Sequence, residues 1–470
     1  MKQLRWVWFL GAAAVLLTVL FIFVDRRSKQ QEAALKVGEP KQLLQINSDL
    51  ITDISLTNED GTTVFTWDNT AHTWVITEGE QFNVNVYAIS AICNYACTLR
   101  SLKTVAFDCE NTDVYGFQHP ITLKIFTTET GKEHPYIIYV GDATPTYDSY
   151  YAMIDGSNDV YTIDYNSGTV FCASRNSMKN PYLFDTSSSL VSYYKVEKDG
   201  ETVMELKRNS EWIWEITKPA KMEAGLSAIS ELMDKIVRVE LSSYVEDNPE
   251  DLSKYGLDHP HTKIWLEGSK GDQPMKEEIW FGAMASSNEN ETKIYGYFAN
   301  TKQVFLINRA ETSFTNDAVI DYIYPFCADP NIKDLQSAEI DMGEVYDLHE
   351  ILHIDYAKNQ YSLGDIDITA KNDENLMQLY QTFYRAISSL RFSDLQLDET
   401  PDPEKEPAIR IIYTYLDGKT MTLNFVEREK NEYYLIIDGK YTGQTVRLNR
   451  FTGTGCVVDR YKLLMTALKE

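Results

Sequence analysis

The chain repeats parts of its own sequence in the same order, and this repetition constrains its fold more than any single residue does. Three segments return further along the chain: Trp74–Thr77 (WVIT) as Trp214–Thr217 (WEIT), Tyr115–Pro120 (YGFQHP) as Tyr255–Pro260 (YGLDHP), and Tyr139–Asp142 (YVGD) as Trp280–Ala283 (WFGA). Similar segments that recur in the same order and at a nearly constant spacing indicate a duplicated module. A duplicated module usually builds a surface or a scaffold, whereas most catalytic sites are single constellations.

We therefore predict that the recurring residues serve the architecture of the module rather than its chemistry. They are Trp74, Tyr115, Gly116, Pro120 and Gly141 in the first copy, and Trp214, Tyr255, Gly256, Leu257, Pro260 and Gly282 in the second. In the second copy, Gly256 is suited to the left-handed geometry that ends a helical turn. Tyr255 and Leu257 are expected to fill the seam between helix and sheet, and Pro260 to fix the start of the next strand.

The order of the patterns predicts three tandem α+β modules, at residues 46–171, 190–308 and 332–470. In the first, period-two alternation broken by an Asp-Gly turn predicts an antiparallel meander, and a helix-like stretch follows at Val84–Leu99. Four strand-like segments then complete the copy, at Ile121–Thr127, Tyr136–Val140, Tyr150–Asp155 and Val160–Asp164. The third copy is more divergent and ends in a short amphipathic helix. We expect each module to be an antiparallel sheet with one helix packed on it.

Residues 1–30 are predicted to be a cytoplasmic leader and a single transmembrane helix. The run from Trp6 to Val24 is uncharged and mostly apolar, and at about 1.5 Å per residue it extends roughly 28 Å, enough to cross a hydrocarbon core. The alternative, a cleaved signal, normally has a shorter apolar region and a small-residue cleavage site. The flanking positive charges are nearly even, so the short leader is what favours an extracytoplasmic location for the rest of the chain.

Charge and cysteine content exclude several classes of partner and site. The formal net charge of -26 argues against nucleic-acid binding, which needs clustered Lys and Arg. None of the six cysteines has the paired spacing of a structural zinc site. Buried free thiols are the expected state, with a disulfide such as Cys327–Cys456 as the alternative in an exported protein.

One segment carries a resemblance to a known family. The stretch Val245–Pro260 includes the pattern Asp-Leu-x-x-Tyr-Gly-Leu-x-x-Pro, which resembles the bacterial family known as domain of unknown function 4340. The first copy keeps part of this pattern, at Asp113–Phe117 and Pro120, whereas the third has only Glu406-Pro407 in its place. The resemblance implies a membrane anchor, tandem modules and a gene that often lies beside the genes of ABC-transporter subunits of the gliding-motility type. It implies no catalytic residues.

The only catalytic-looking motif is His349-Glu350-Ile351-Leu352-His353, which matches HExxH. On a helix, His349 and His353 would hold zinc, Glu350 would activate water, and Glu374 could supply a third ligand. However, the motif aligns with the opening meander of the other copies, so a strand is predicted there. The histidines would then lie about 13 Å apart, too far for one metal.

These patterns predict a non-enzymatic, single-pass protein of the cytoplasmic membrane, with no cofactor. Its expected role is that of a scaffold or accessory subunit of an envelope complex, and the family resemblance implies ABC transporter subunits as partners in that complex. Two alternatives remain open: a zinc metallopeptidase that uses the HExxH motif, and a glycan- or peptide-binding module that uses the aromatic faces of the sheets, since the chain contains 30 tyrosines.

Overall fold

The computed structural model describes residue 24 and residues 38–285, 292–402 and 404–469. The predicted anchor, apart from Val24, lies outside this range. In the part of the chain that is described, no helix is both long and apolar enough to cross a membrane. The described chain consists mainly of strands in three antiparallel sheets, as predicted for tandem modules, with few helices.

Two compact units divide the chain. Unit 1 contains the described residues up to 192 and those within 233–315, and unit 2 contains the described residues within 193–232 and from 316 onward. The second module is therefore shared between the units: its first four strands belong to unit 2 and its remaining strands belong to unit 1.

The first module lies in unit 1. Its strands are β1 (Ile51–Asn58), β2 (Gly61–Asp68), β3 (Thr73–Glu78), β4 (Lys103–Ala106), β5 (Ile121–Thr127), β6 (Tyr136–Ala143), β7 (Ser149–Ile154) and β8 (Val160–Asp164). They form one sheet in the order β3-β2-β1-β5-β6-β7-β8-β4. Three helices belong to this stretch: α1 (Val86–Cys97), α2 (Tyr165–Phe171) and α3 (Arg175–Met178).

The helix of the first module packs on one face of its sheet. Helix α1 begins where the Asn85 side chain accepts hydrogen bonds from the backbone N–H groups of Tyr87 and Ala88. Its buried residues Ile89 and Ile92 share one apolar core with residues of β1, β5, β6, β7 and β8. The predictions of a meander, of a helix at this position and of a helix laid on a sheet are confirmed.

The second module repeats the strand orders of the first module in its two parts, with one short strand added at the end of the first part. In unit 2 it contains β9 (Tyr193–Lys198), β10 (Glu201–Arg208), β11 (Trp214–Lys218) and β12 (Met222–Glu223), in the order β12-β11-β10-β9. In unit 1 it contains β13 (Ser243–Asp247), β14 (Thr262–Lys270), β15 (Gln273–Met284), β16 (Lys293–Phe298) and β17 (Gln303–Asn308), in the order β14-β15-β16-β17-β13. The helix α4 (Leu226–Ile236) follows β12. The Asp199-Gly200 turn between β9 and β10 has positive φ at both residues, as a tight hairpin requires.

The third module completes unit 2. Its strands are β18 (Leu335–Asp341), β19 (His349–Asp355), β20 (Gln360–Leu363), β21 (Ile366–Asp367), β22 (Asp394–Leu395), β23 (Ile409–Tyr415), β24 (Thr420–Glu429), β25 (Glu432–Ile437) and β26 (Lys440–Arg447), in the order β21-β20-β19-β18-β23-β24-β25-β26-β22. Its helices are α5 (Glu374–Ser388), α6 (Asn449–Thr452) and α7 (Val457–Lys469). Helices α5 and α7 are in contact through the rings of Phe383 and Tyr461, whose centroids lie 5.6 Å apart.

All six cysteines are free thiols. Cys93, Cys97 and Cys327 are buried, as expected, whereas Cys109, Cys172 and Cys456 are only partly buried. The alternative disulfide between Cys327 and Cys456 is not formed.

Candidate functional site

The HExxH motif lies in strand β19, so the predicted strand is confirmed. His349 is 62% exposed, with its Nδ1 atom 3.7 Å from Asp341 Oδ2, and His353 is exposed as well. The Tyr461 hydroxyl donates a hydrogen bond of 2.9 Å to Glu350. A strand separates residues i and i+4 by about 13 Å, beyond the reach of a shared ion.

Glu374, the third ligand considered from the sequence, is the exposed first residue of α5. Among the described residues, no group of three or more His, Cys, Asp or Glu side chains is placed to hold a metal ion. The four residues of the zinc hypothesis are therefore not brought together as a metal centre in the part of the chain that is described.

The recurring Tyr-Gly segment forms the same turn in both copies, which we call the signature loop (residues 113–120 and 253–260). A 3-10 turn ends at Tyr115 in the first copy and at Tyr255 in the second. The next residues, Gly116 and Gly256, have φ values of 85° and 65°. Only glycine adopts this left-handed geometry without a steric cost, so its recurrence has a backbone cause.

A second recurring glycine lies directly under each signature loop. A Cβ atom at Gly141 would overlap the carbonyl oxygen of Tyr115, and one at Gly282 would overlap the carbonyl oxygen of Tyr255. In both copies this glycine also lies within the β-bulge where the register of the strand with its next neighbour shifts. The two motifs that recur in the sequence are thus the two sides of one close contact between loop and strand.

The aromatic residues of the loop pack on the sheet face that points away from the helix. The rings of Tyr115 and Tyr151 lie 4.9 Å apart, and Tyr151 alternates along β7 with Ala152, which belongs to the core shared with α1. In the first copy, the loop and α1 therefore lie on opposite faces of the sheet.

The second copy shows the same side-chain arrangement on its strands β15 to β17. Tyr255, Leu257, Tyr297 and Val304 form a small buried cluster of their own, and the rings of Tyr255 and Tyr295 lie 4.8 Å apart. Tyr295 and Tyr297 alternate along β16 with the residues that face the opposite side. The loop covers this face of the sheet, and the cluster contains no residue of α4 among those described. The prediction that Tyr255 and Leu257 fill a seam between helix and sheet is therefore wrong.

The remaining signature residues have simpler roles. Pro120 and Pro260 stand just before β5 and β14, where proline can set the chain direction without losing a ladder hydrogen bond. Trp74 and Trp214 are only 6% and 4% exposed. Trp74 also meets Trp67 edge to face, with ring centroids 5.5 Å apart.

The third copy contains neither the Tyr-Gly loop nor the strand glycine that form this contact in the other two copies. The register of β23 with β24 places Val426 where the other copies have Gly141 and Gly282, and no Tyr-Gly segment precedes β23. Instead, Arg428 binds both carboxylate oxygens of Glu399 at 2.7 Å, and the Tyr434 hydroxyl donates to the same group. The Arg428 hydrogen bonds lower the pKa of Glu399 to about 2.

A cavity of about 220 Å³ lies in unit 1, among residues of the first module, the second module and the segment between them. Its walls include Trp74, Asn83, Asn180, Tyr182, Lys270 and Glu277. We call it the Glu277 cavity, because this carboxyl group is its most unusual feature. Glu277 is 9% exposed, and burial raises its pKa from 4.5 to about 7.

The Glu277 carboxyl group is only half satisfied by the protein. The Asn83 side chain donates a long hydrogen bond of 3.4 Å to Oε1, and Oε2 is buried with no hydrogen-bond partner among the described residues. Glu277 lies on the same strand face as Gln273 and Met275, and all three line the cavity. The carboxyl group is therefore directed into the cavity.

A second buried polar cluster lies nearby, and its two charged groups, Lys179 and Asp247, form an ion pair with each other. Lys179, which is almost fully buried, binds both oxygens of Asp247 at 2.6 Å. Gln303 donates to the same carboxylate at 2.9 Å, and the ammonium group lies 4.8 Å from the centre of the Tyr244 ring. The Lys179 ammonium charge is therefore balanced by Asp247 and is not free to balance another carboxylate.

Sequence reasoning missed Glu277, although a signal was present. Met275, Ile279 and Phe281 occupy the apolar positions of β15, and Glu277 falls in the same register. A charged residue on the buried face of an alternating strand is uncommon unless it has a specific partner or role.

We expect the buried carboxyl group to make stability depend on pH. Because its pKa is raised from 4.5 to about 7, its stabilising contribution is complete below about pH 4.5 and is lost as the pH rises through 7. Glu277→Gln should therefore raise the free energy of unfolding by about 2 kcal/mol at pH 8 and by much less at pH 5. Urea unfolding of the full chain at the two pH values measures this difference. The same gain at both would contradict the assignment.

The repeated strand orders and the loop contact define a class: tandem-module proteins of antiparallel sheet in which a Tyr-Gly loop rests on a strand glycine. The chain belongs to the family described as domain of unknown function DUF4340, whose model matches residues 74–213 and again residues 214–408. The two matches begin at the equivalent residues Trp74 and Trp214. Among curated proteins, none matches this sequence.

Proposed function

We propose that this protein is a non-enzymatic scaffold or accessory subunit of a cell-envelope complex. The observation that supports the proposal most is that the recurring residues serve packing. Gly116, Gly141 and their counterparts Gly256 and Gly282 allow close backbone packing, and Tyr115 and Tyr255 pack on aromatic side chains. Residues that are retained between copies for packing are what a scaffold built from repeats requires.

The proposal includes a single membrane anchor within residues 1–30 and an extracytoplasmic location for the modules. The uncharged run from Trp6 to Val24 supports the anchor. The net charge of -26 favours a soluble surface and disfavours flat binding to anionic lipid. We propose transmembrane subunits of an ABC transporter as the partner, which the modules would meet through exposed strand edges.

Cross-linking of the full chain in its native membranes tests this function. We expect the chain to stay in the membrane fraction after an alkaline wash and to form a cross-linked species with a transporter subunit. His349→Ala and His353→Ala should give the same species, because these side chains are exposed on β19. A chain released by the wash, or partners that contain no transporter subunit, would contradict the proposal.

A further inference from the structure

The Glu277 cavity contains a negative group whose charge the surrounding protein does not balance. Of the charged residues in its walls, Lys270 is paired with Asp185. Outside the walls, the nearby Lys179 is held by Asp247. One carboxylate oxygen of Glu277 therefore faces the cavity without a donor among the described residues.

The walls suit a cation on an apolar stem. Trp74, Tyr182 and Phe184 line the cavity, and aromatic faces attract ammonium groups while they also contact methylene carbons. A neighbouring cavity of about 180 Å³ shares Thr73, Asn180 and Tyr182 with the first. This second cavity provides space for the rest of the ligand, to which the alkyl chain with its ammonium group is attached.

We propose that the Glu277 cavity binds a primary ammonium group on an alkyl chain, with the Glu277 carboxylate as its counter-ion and the Asn83 amide beside it. This site does not depend on the scaffold function proposed above. The ammonium group can come from a free alkylamine or from a lysine side chain on another protein, and the two sources share this chemistry.

Binding of a cation at this site should depend on pH. The groups around Glu277 are Asn83 and Tyr244, which are neutral, and the paired Asp185 and Lys270 of the cavity walls. A carboxyl group with a pKa of about 7 is mostly protonated at pH 6 and mostly ionised at pH 8, whereas an alkylammonium group stays charged throughout. The dissociation constant for an alkylammonium ion should therefore fall about tenfold from pH 6 to pH 8.

Isothermal titration calorimetry of the full chain in detergent, with n-butylamine as the probe, tests the site. Wild type should bind n-butylamine about tenfold more tightly at pH 8 than at pH 6, and Glu277→Gln should lose binding. The substitution keeps the shape of the side chain, so the variant is expected to fold. Glu278→Gln is the matched control: Glu278 accepts a hydrogen bond from Trp280 on the other face of the strand, and its amide can still accept that bond.

Two further probes, n-butanol and N-acetyl-lysine methylamide, give the remaining outcomes. The proposal is overturned if n-butanol binds as tightly as n-butylamine, if Glu277→Gln binds n-butylamine as wild type does, or if no binding occurs at millimolar concentrations. N-acetyl-lysine methylamide distinguishes the sources. Tighter binding of this lysine derivative than of n-butylamine identifies a protein side chain as the ligand, and weaker binding identifies a free alkylamine.

Discussion

Gly282→Ala is expected to destabilise the second module by about 4 kcal/mol, an unusually large effect for the addition of one methyl group. The added Cβ would overlap the carbonyl oxygen of Tyr255 and would lie 2.9 Å from Leu257 Cγ. Since the overlap is with backbone, it cannot be relieved by a change of rotamer. Hydrogen exchange of the full chain should show faster exchange in residues 251–260 and in β15.

The first copy provides an internal replicate, and a different glycine provides the control. Gly141→Ala should have a similar effect on residues 113–120, because its Cβ would meet Tyr115 in the same way. Gly156 has a φ of 80° but no atom within 4 Å of a built Cβ. Gly156→Ala should therefore cost only about 1 kcal/mol from backbone strain. If Gly156→Ala and Gly282→Ala lower the free energy of unfolding equally, the close contact between loop and strand does not contribute to stability.

Trp214→Ala is expected to destabilise unit 2 locally by about 3–5 kcal/mol. The indole is 4% exposed, so its removal leaves a large cavity at the start of β11. Its Nε1 atom is buried with no hydrogen-bond partner among the described residues. The Arg208 guanidinium group lies 4.7 Å from the centre of the indole ring. The loss should therefore come from packing, including this contact, rather than from a hydrogen bond, and urea unfolding followed by tryptophan fluorescence would report it.

Two further variants distinguish a tryptophan that packs in the core from one that is exposed at the surface. Trp214→Phe keeps most of the buried ring and removes an unsatisfied donor, so it should cost about 1 kcal/mol. Trp212, two residues earlier, is 51% exposed, and Trp212→Ala should cost less than half as much as Trp214→Ala. A near-zero cost for Trp214→Ala would show that the repeated tryptophans do not belong to the core.

Much of the fold could be predicted from the sequence because its signals are local. Alternation identified the strands β5 and β8, whose bounds agree with the prediction, and the Asp-Gly pairs identified hairpin turns. The strand at His349–Asp355 was predictable because alignment with the other copies outweighed a motif that is typical of helices. Local periodicity and the repeat agreed there.

The contacts between distant segments could not be predicted in the same way. The sequence marks Tyr115 and Gly141 as recurring, but only the paired register of β5 and β6 places the glycine beneath the loop. The sheet face that the loop covers was predicted wrongly, because alternation along a strand does not tell which face the helix takes. Likewise, the burial of Glu277 depends on Asn83 and Asn180, which are far from it in the sequence.

A double-mutant cycle between Tyr255→Ala and Gly282→Ala tests most directly whether the two recurring motifs form one contact. If the loop rests on the glycine, Tyr255→Ala loosens the loop and the added Cβ then meets less resistance. The free-energy costs should deviate from additivity by more than about 1 kcal/mol. Costs that add to within about 0.5 kcal/mol would contradict the account, because the loop and the strand glycine would then be energetically independent.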